Sequence, residues 1–595
     1  MDYYGLMQLH FRPLHLPLAL ALLLGSHAVL AQGRPATPKA AAAPSAAQPE
    51  TSAEELSAEL FYEILVGEMA AGQGDMVNAM ALMLEAARQS GSEQLYRRAT
   101  ELGLQSRSGD RALSAAQEWK HAFPQSRDAN RYVLQLLLAL NRVSESLQPL
   151  QQEITFTPAA SKPASFLAIA QLYSRVSDKS LAAAVVEQAL AKELRKPDTG
   201  PAAWATVGHL RIVAGQKELA LDAARKSHAM APDNGAAALL ALELMEADMP
   251  EAEPLVQGYL KHSPSATIRM AYARVLMGYE RNAQAREQLE IITNENPEFA
   301  DAWLALAGLQ FQNGEPEAAQ RSLDQFIPLA EKVPDDSTRQ AVLTQAYLMH
   351  ASIALQQRND KAASQWLDKI EDGHAILNVQ SLRATILARQ GQLPQARALI
   401  RAVPTRSPAQ EKLKRRAEIQ LLRDAGAPQE AYLLQRTLLD QSPEDNDIAY
   451  DTAILADKAG KYDTAEALLR GVIERQPTHH HAYHALGYSL AERGIRLDEA
   501  KTLIQKALDL APNDPFILDS LGWVEFQQGR KTEALAILEK AYGLRNDVDI
   551  AAHLGEVLWQ LGDKTRARTI WQQALARDPQ NDTLRATLKR LGVRP

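Results

Sequence analysis

The sequence predicts an all-α solenoid of roughly fifteen helix hairpins. Three observations carry that reading. A unit of about 34 residues recurs along almost the whole chain, its glycines and prolines fall at fixed places within the unit, and there is no cysteine that could staple the fold in another way. The 595 residues are 46% hydrophobic but only 6% aromatic, so the core is built mainly from aliphatic side chains. With 64 Lys and Arg against 72 Asp and Glu the net charge is -8, which lacks the basic excess of a nucleic-acid binder. The absence of cysteine also removes thiolate nucleophiles, thiolate metal sites and the acylated cysteine of a bacterial lipoprotein.

The first element is an address. Leu14 to Leu24 form a short apolar run behind Arg12, and Val29-Leu30-Ala31 offers residues that a signal peptidase reads, so residues 1–31 are expected to be a secretory signal peptide. Translation from Met1 and from Met7 both fit. The apolar run falls short of the ~20 residues that cross a bilayer as a helix. His27 follows Leu24-Gly25-Ser26, where a lipoprotein signal would place cysteine, so release into the periplasm is expected, with outer-membrane association left to relatives. Residues 32–51 are almost all Ala, Pro, Ser, Gln and Thr, which predicts a disordered leader.

The solenoid is expected over 52–580. Its clearest unit starts at Pro201 and places Trp204, Val207, Gly208, Gly215, Ala220 and Pro232 at relative positions 4, 7, 8, 15, 20 and 32. Gly487, Gly522 and Gly555 repeat the position of Gly208. A mid-helix Gly costs ~1 kcal/mol relative to Ala, so its recurrence implies that another backbone passes close by. Gly215, Gly314, Gly460, Gly529 and Gly562 stand where the first helix of a hairpin must stop. Pro232, Pro297, Pro443, Pro477, Pro512 and Pro579 stand where the second ends, often followed by Asp or Asn as the next N-cap. Residues 332–344 exceed the period and predict a longer loop or an extended helix. Residues 581–595, with Leu584, Leu588 and Leu591 at helical spacing, read as a C-terminal capping helix.

Together these markers resemble the tetratricopeptide repeat over residues 60 to 580. The resemblance implies antiparallel helix pairs stacked into a right-handed superhelix, with a concave groove lined by positions 2, 5, 9 and 12 of each first helix. Those positions hold Tyr450, His481, His484, Tyr488, Phe516, Trp523, Phe526 and Trp559 in the last four units. Tyr450, His484, Tyr488, Phe516, Trp523, Phe526 and Trp559 are the expected partner-binding residues, because buried aromatics dominate interface energetics. The opposing reading makes some of them filler between adjacent first helices.

Catalytic motifs are missing: there is no Gly-x-Ser-x-Gly elbow, phosphate loop or His-Glu-x-x-His, and no cofactor is expected. The cluster His479, His480, His481 and His484 is the one metal-like group, with capping or a groove position as the plainer role. The first ordered segment carries Glu50, Glu54, Glu55, Glu59, Glu63 and Glu68 without a cation between them, and Leu56, Leu60, Phe61, Ile64 and Leu65 give it an apolar face. Between Arg383 and Arg416 nine basic residues face Glu411 alone, either as a solvated face or as a docking patch for an acidic partner. The segments His481 to Tyr488, Asn513 to Val524 and Ala551 to Trp559 are similar to proteobacterial tetratricopeptide adaptors of a periplasmic carboxyl-terminal processing protease. That resemblance implies a non-enzymatic scaffold that binds the protease and its substrates. The competing readings are an assembly scaffold for polysaccharide export or pilus biogenesis, and a metal-dependent hydrolase using the histidines.

Overall fold

The computed structural model describes residues 58–371, 373–579 and 581–594. The expected signal peptide, the expected leader and residues 52–57 of the expected solenoid lie outside the described residues. Among the described residues there are 31 α-helices, with short turns and five 3-10 segments between them and no strand. In sequence order they make fifteen pairs and one final helix, Asp582–Leu591, where the capping helix is expected. Two compact units divide them, one ending at Asn313 and one beginning at Gly314.

In the unit ending at Asn313, the largest apolar cluster runs from Ala220 to Leu309 and includes Leu244, Met245, Tyr259, Leu276 and Leu289. The repeat is least regular between 143 and 200, where 3-10 segments Val143–Ser146, Ala159–Ser161 and Glu193–Arg195 interrupt it. Glu193 is buried in the last of these. Burial alone would raise its pKa, but Lys162 and Lys196, each 2.7 Å from Oε1, and the Thr199 hydroxyl, 2.8 Å from Oε2, hold the carboxyl down at about 2. A fixed carboxylate thus ties together a turn that the period does not provide.

In the unit beginning at Gly314, residues 336 onward form an extended helix rather than a loop: Asp336–Gln356 has 21 residues, and its second helix Asp360–Leu367 has 8. The Asp335 carboxylate caps it, accepting the Thr338 N–H at 2.7 Å. A core cluster from Ile419 to Val524 holds the next hairpins together, and a smaller one from Ala534 to Leu588 holds the last.

The punctuation behaves as its chemistry dictates. Gly215, Gly314, Gly460, Gly529 and Gly562 all take positive φ, between 71° and 95°, which side chains resist. Second helices end at Gln441, Arg475 and Leu510, two residues before Pro443, Pro477 and Pro512. Asp514 caps the helix that follows, accepting the Phe516 N–H at 2.8 Å.

The mid-helix glycines are filled mainly by side chains and only partly by backbone. A Cβ on Gly487 would lie 2.6 Å from Ile504 Cγ1 and 3.0 Å from the Ala500 carbonyl oxygen, and one on Gly522 would lie 2.6 Å from Leu538 Cγ. On Gly555 it would strike the Trp571 indole. All of these neighbours belong to the second helix of the same hairpin. Gly208 differs, since Leu240 of the following first helix takes its space. Gly522→Leu is therefore expected to lower the unfolding free energy by about 3 kcal/mol through overpacking. A urea midpoint unchanged from the parent would refute that assignment.

Candidate functional site

The last four first helices are Asn446–Lys458, His480–Glu492, Pro515–Gln527 and Val548–Leu561. Gly487, Gly522 and Gly555 turn one side of three of them toward their own second helices. At 100° per residue, positions 2, 5, 9 and 12 then share a face beside that contact. Tyr450, His481, Tyr488, Phe516, Phe526 and Trp559 are half-buried on it, while His484 and Trp523 are buried.

These side chains form three groups. Tyr450 lies 5.3 Å from His479 between ring centres and 6.3 Å from His481, with His480 3.9 Å from His481 and tilted 42° to it. His484 and Tyr488 neighbour each other at 6.4 Å. Trp523 contacts Phe526 at 5.3 Å and stacks on His553 at 4.3 Å with 22° between planes. Phe516 and Trp559 lie under cations: Arg545 sits 5.0 Å above the first ring, Lys564 and Arg568 lie 5.0 and 5.3 Å from the second.

Sequence reasoning missed a ladder of buried polar pairs between consecutive first helices. Asp457 accepts the Ser489 hydroxyl, His484 Nε2 meets Ser520 Oγ at 2.8 Å, and His553 Nδ1 meets Asp519 Oδ2 at 2.9 Å. Glu556 is gripped by Arg590 of the final helix at 2.5 and 2.7 Å. Asp519 and Glu556 occupy groove positions 5 and 9 yet are only 1% exposed. The available signal was a polar residue facing another about one repeat away, as at Asp519 and His553, Glu556 and Arg590, or His209 and Glu243 in the other unit.

The histidines are engaged as structural groups. His479 Nδ1 accepts the Ala482 N–H at 3.1 Å, so it is the N-cap of its helix. Burial pushes His481 and His484 down to about 4, with neighbouring histidines adding to the effect and Asp514 opposing it. Burial would also lower His553, but the Asp519 carboxylate, by charge and hydrogen bond, with help from Asp549 and Glu556, holds it above the ordinary imidazole value. Among the described residues no group of three or more His, Asp or Glu is placed to hold a metal ion.

The basic stretch is used mostly inside the chain. Arg397 and Arg401 converge on buried Glu418 at 2.7 and 2.6 Å, Arg383 meets Asp368 at 2.8 Å, and Arg389 donates to the Leu355 carbonyl at 2.7 Å. Lys414 and Arg415 share Glu411.

The geometry of glycine stops, proline ends and nested hairpins coincides with matches to known repeats. The tetratricopeptide-repeat family matches at residues 270–334, 377–402, 450–515 and 525–591. The chain contains tetratricopeptide repeats. A TPR repeat-containing protein of Pseudomonas aeruginosa is 30% identical over 239 residues, 40% of this chain; the match spans 40% of that protein's length. Among solved structures, a thermophilic TPR protein of Thermus thermophilus is 22% identical and covers 29% of this chain and 96% of its own, with a TM-score of 0.27. The APC/C hetero-tetramer Cut9-Hcn1 is 15% identical and covers 90% and 97%, with a TM-score of 0.32.

Two outcomes follow from these tetratricopeptide helices. Trp523→Ala should cost about 3–5 kcal/mol of stability by opening a cavity against His553, read from chemical denaturation; a loss below about 1 kcal/mol would show the ring to be surface. The second outcome concerns pH. His484 is neutral in the fold and protonates in the unfolded chain below its ordinary value of 6.5, so its contribution is whole above that pH and fades toward pH 4. The slope is up to about 1.4 kcal/mol per pH unit. His553 behaves oppositely: its contribution is whole below 6.5 and is lost as pH rises through its raised value. His484→Gln should flatten the acid limb of stability against pH and His553→Gln the alkaline limb, both measured as unfolding midpoints across buffers.

Proposed function

We propose that the chain is a non-enzymatic adaptor of the cell envelope, exported to the periplasm, that binds a carboxyl-terminal processing protease together with its substrates and stimulates degradation. Tetratricopeptide repeats suggest a protein-interaction scaffold, and the protease reading adds to that a resemblance of the segments around Tyr488, Trp523 and Trp559 to adaptors of this kind. The observation that carries the binding role is the row of half-buried rings Tyr450, Tyr488, Phe516, Phe526 and Trp559 on one face of four successive first helices. In a chain with 6% aromatic residues, such a row supplies large contact area at low conformational cost. The ladder beneath it supports the role, since a floor fixed by buried pairs loses little entropy when a partner docks.

The histidine cluster gives little support to a hydrolase. His479 is used as a cap and His484 is bonded to Ser520, which leaves neither ring free to serve as a metal ligand without breaking a structural contact.

Reconstitution tests the proposal. The mature chain, mixed with a purified carboxyl-terminal processing protease, should co-elute with it and accelerate cleavage of a peptidoglycan hydrolase. Phe526→Ala and Trp559→Ala should each weaken the complex by ~2 kcal/mol or more while circular dichroism stays that of the parent. Absence of both co-elution and acceleration, with a secretin or polymer synthase recovered from the native envelope, would favour the assembly-scaffold reading. Export is tested separately: the mature N-terminus should lie near Gln32 without acylation, and retention in the outer membrane after a high-salt wash would contradict it.

A further inference from the structure

Trp204 in Gly200–Val213 and Trp303 in Ala300–Gln312 both stand at position 4 of a first helix, and both rings are half-buried. They are used differently. The Trp303 indole N–H donates to the Pro297 carbonyl at 2.8 Å, in the segment that joins the preceding second helix to its own. The Trp204 indole N–H has no acceptor among the described residues, although Lys226 sits 4.4 Å above the ring and is itself held by Asp222 at 2.6 Å. The ring is fixed while its one donor is unspent.

The difference begins in the preceding helix. Before Trp303 the second helix Asn282–Glu295 has 14 residues; before Trp204 it is Lys179–Ala189, with 11, and the chain turns away through the 3-10 segment Glu193–Arg195. The shorter helix leaves one side of Trp204 uncovered, and a cleft of about 390 Å3 stands there, open on one side. Its apolar walls are Ala184, Ala191, Leu194 and Trp204, and its two charged groups are Glu187 and Arg195. Glu187 is met by Arg211 at 2.5 Å. Arg195 is exposed and makes no ion pair among the described residues.

We propose that this cleft docks an extended acidic segment of a partner protein, which gives a backbone carbonyl to the Trp204 N–H, an apolar side chain to Leu194 and a neighbouring carboxylate to Arg195. Each part answers one observation. Trp303 shows what an indole at position 4 takes when an acceptor is within reach, a main-chain carbonyl of the adjoining segment, and that requirement selects a polypeptide over a small acid. The cleft is at the small end of ligand cavities, with room over Leu194 for one apolar side chain rather than for a helix. The unmet charge in its lining is a guanidinium, which binds carboxylate through paired, charge-assisted hydrogen bonds. The site lies in the unit ending at Asn313, outside the groove positions, and does not depend on the protease reading.

The test uses the full mature chain and fluorescein-labelled peptides of about ten residues, blocked at the C-terminus, with a central Leu followed by Glu or, in the twin, by Gln. Anisotropy titration should show the Glu peptide binding about tenfold more tightly than the Gln twin, the worth of one charge-assisted pair. Arg195→Gln should erase that preference with helix content unchanged. Trp204→Phe, which keeps a ring and removes the donor, should weaken both peptides about threefold or more and leave the preference intact. Trp303→Phe, where the N–H is spent within the chain, should leave both affinities as in the parent. In proton–nitrogen spectra the Trp204 indole resonance, assigned by its loss from Trp204→Phe, should move downfield with the Glu peptide while that of Trp303 stays. Equal binding of the twins, no binding of either, a preference that survives Arg195→Gln, or a stationary Trp204 resonance would each overturn the proposal. A Gln twin that outbinds the Glu peptide once its own C-terminal carboxylate is freed would overturn it by assigning the cleft to a chain end. Full competition by N-acetyl-leucine at the concentration of the peptide would overturn it by assigning the cleft to a small acid.

Discussion

The contact that the rest of the structure depends on is the one inside the hairpin, where in the last three hairpins a first helix surrenders a side chain so that the second helix can lie against it. Gly487, Gly522 and Gly555 each cost helix propensity and are each occupied by a large neighbour, Ile504, Leu538 and Trp571. The loss of ~1 kcal/mol at the glycine is outweighed by the burial of a Leu, Ile or Trp side chain, which contributes roughly 1.5–3 kcal/mol. Fixing that approach fixes which side of the first helix remains for its neighbours and which for solvent. Every later feature, including the face that carries the aromatic row, is a consequence of this one orientation.

Stacking adds a second constraint, because identical apolar faces would not distinguish one neighbouring hairpin from another. The polar ladder through Ser489, His484, Asp519, His553 and Glu556 supplies that distinction. Each rung joins residues about one repeat apart, and a slipped or exchanged hairpin would leave the buried carboxylates of Asp519 and Glu556 unpaired. Buried ion pairs are poor sources of stability, so their value here lies in register, as with polar residues at the seam of a coiled coil. The stack of Trp523 on His553 joins the two devices, since the same ring fills space between first helices and shields the pair from water.

Much of this was legible in the sequence, and the boundary of legibility has a physical cause. The roughly fifteen units, the left-handed glycine stops and the proline ends depend on local conformational preference, which a residue carries with it. Gly314 and Pro477 therefore announce turns without knowledge of any neighbour. The aromatic row is different. Position 9 places Trp523 on the groove side, but how much of the ring is covered depends on His553, about one repeat later in the chain and adjacent only after stacking. The basic run from Arg383 looked unpaired for the same reason: Glu418, Glu430, Asp360 and Asp368 lie just outside it in sequence and reach back across the hairpins. The histidine cluster hid its role because capping by an imidazole leaves no sequence signature like that of Asp or Ser.

The distribution of charge then bears on what the molecule can recognise. A net charge of -8 spread over a solenoid would steer partners weakly, and four of the cations that could have formed a basic patch, Arg383, Arg389, Arg397 and Arg401, are paired with carboxylates elsewhere in the chain. Such pairs contribute little to stability when exposed, yet they cancel long-range fields, so recognition has to rest on short-range contact. The side chains suited to that are the half-buried rings, and two of them, Phe516 and Trp559, lie under Arg545, Lys564 and Arg568. A cation held on an aromatic face keeps outward donors for a carboxylate while the ring edge offers apolar contact. Under the proposed scaffold role, a surface of this composition suits partners that bring an acidic group and an apolar side chain close together.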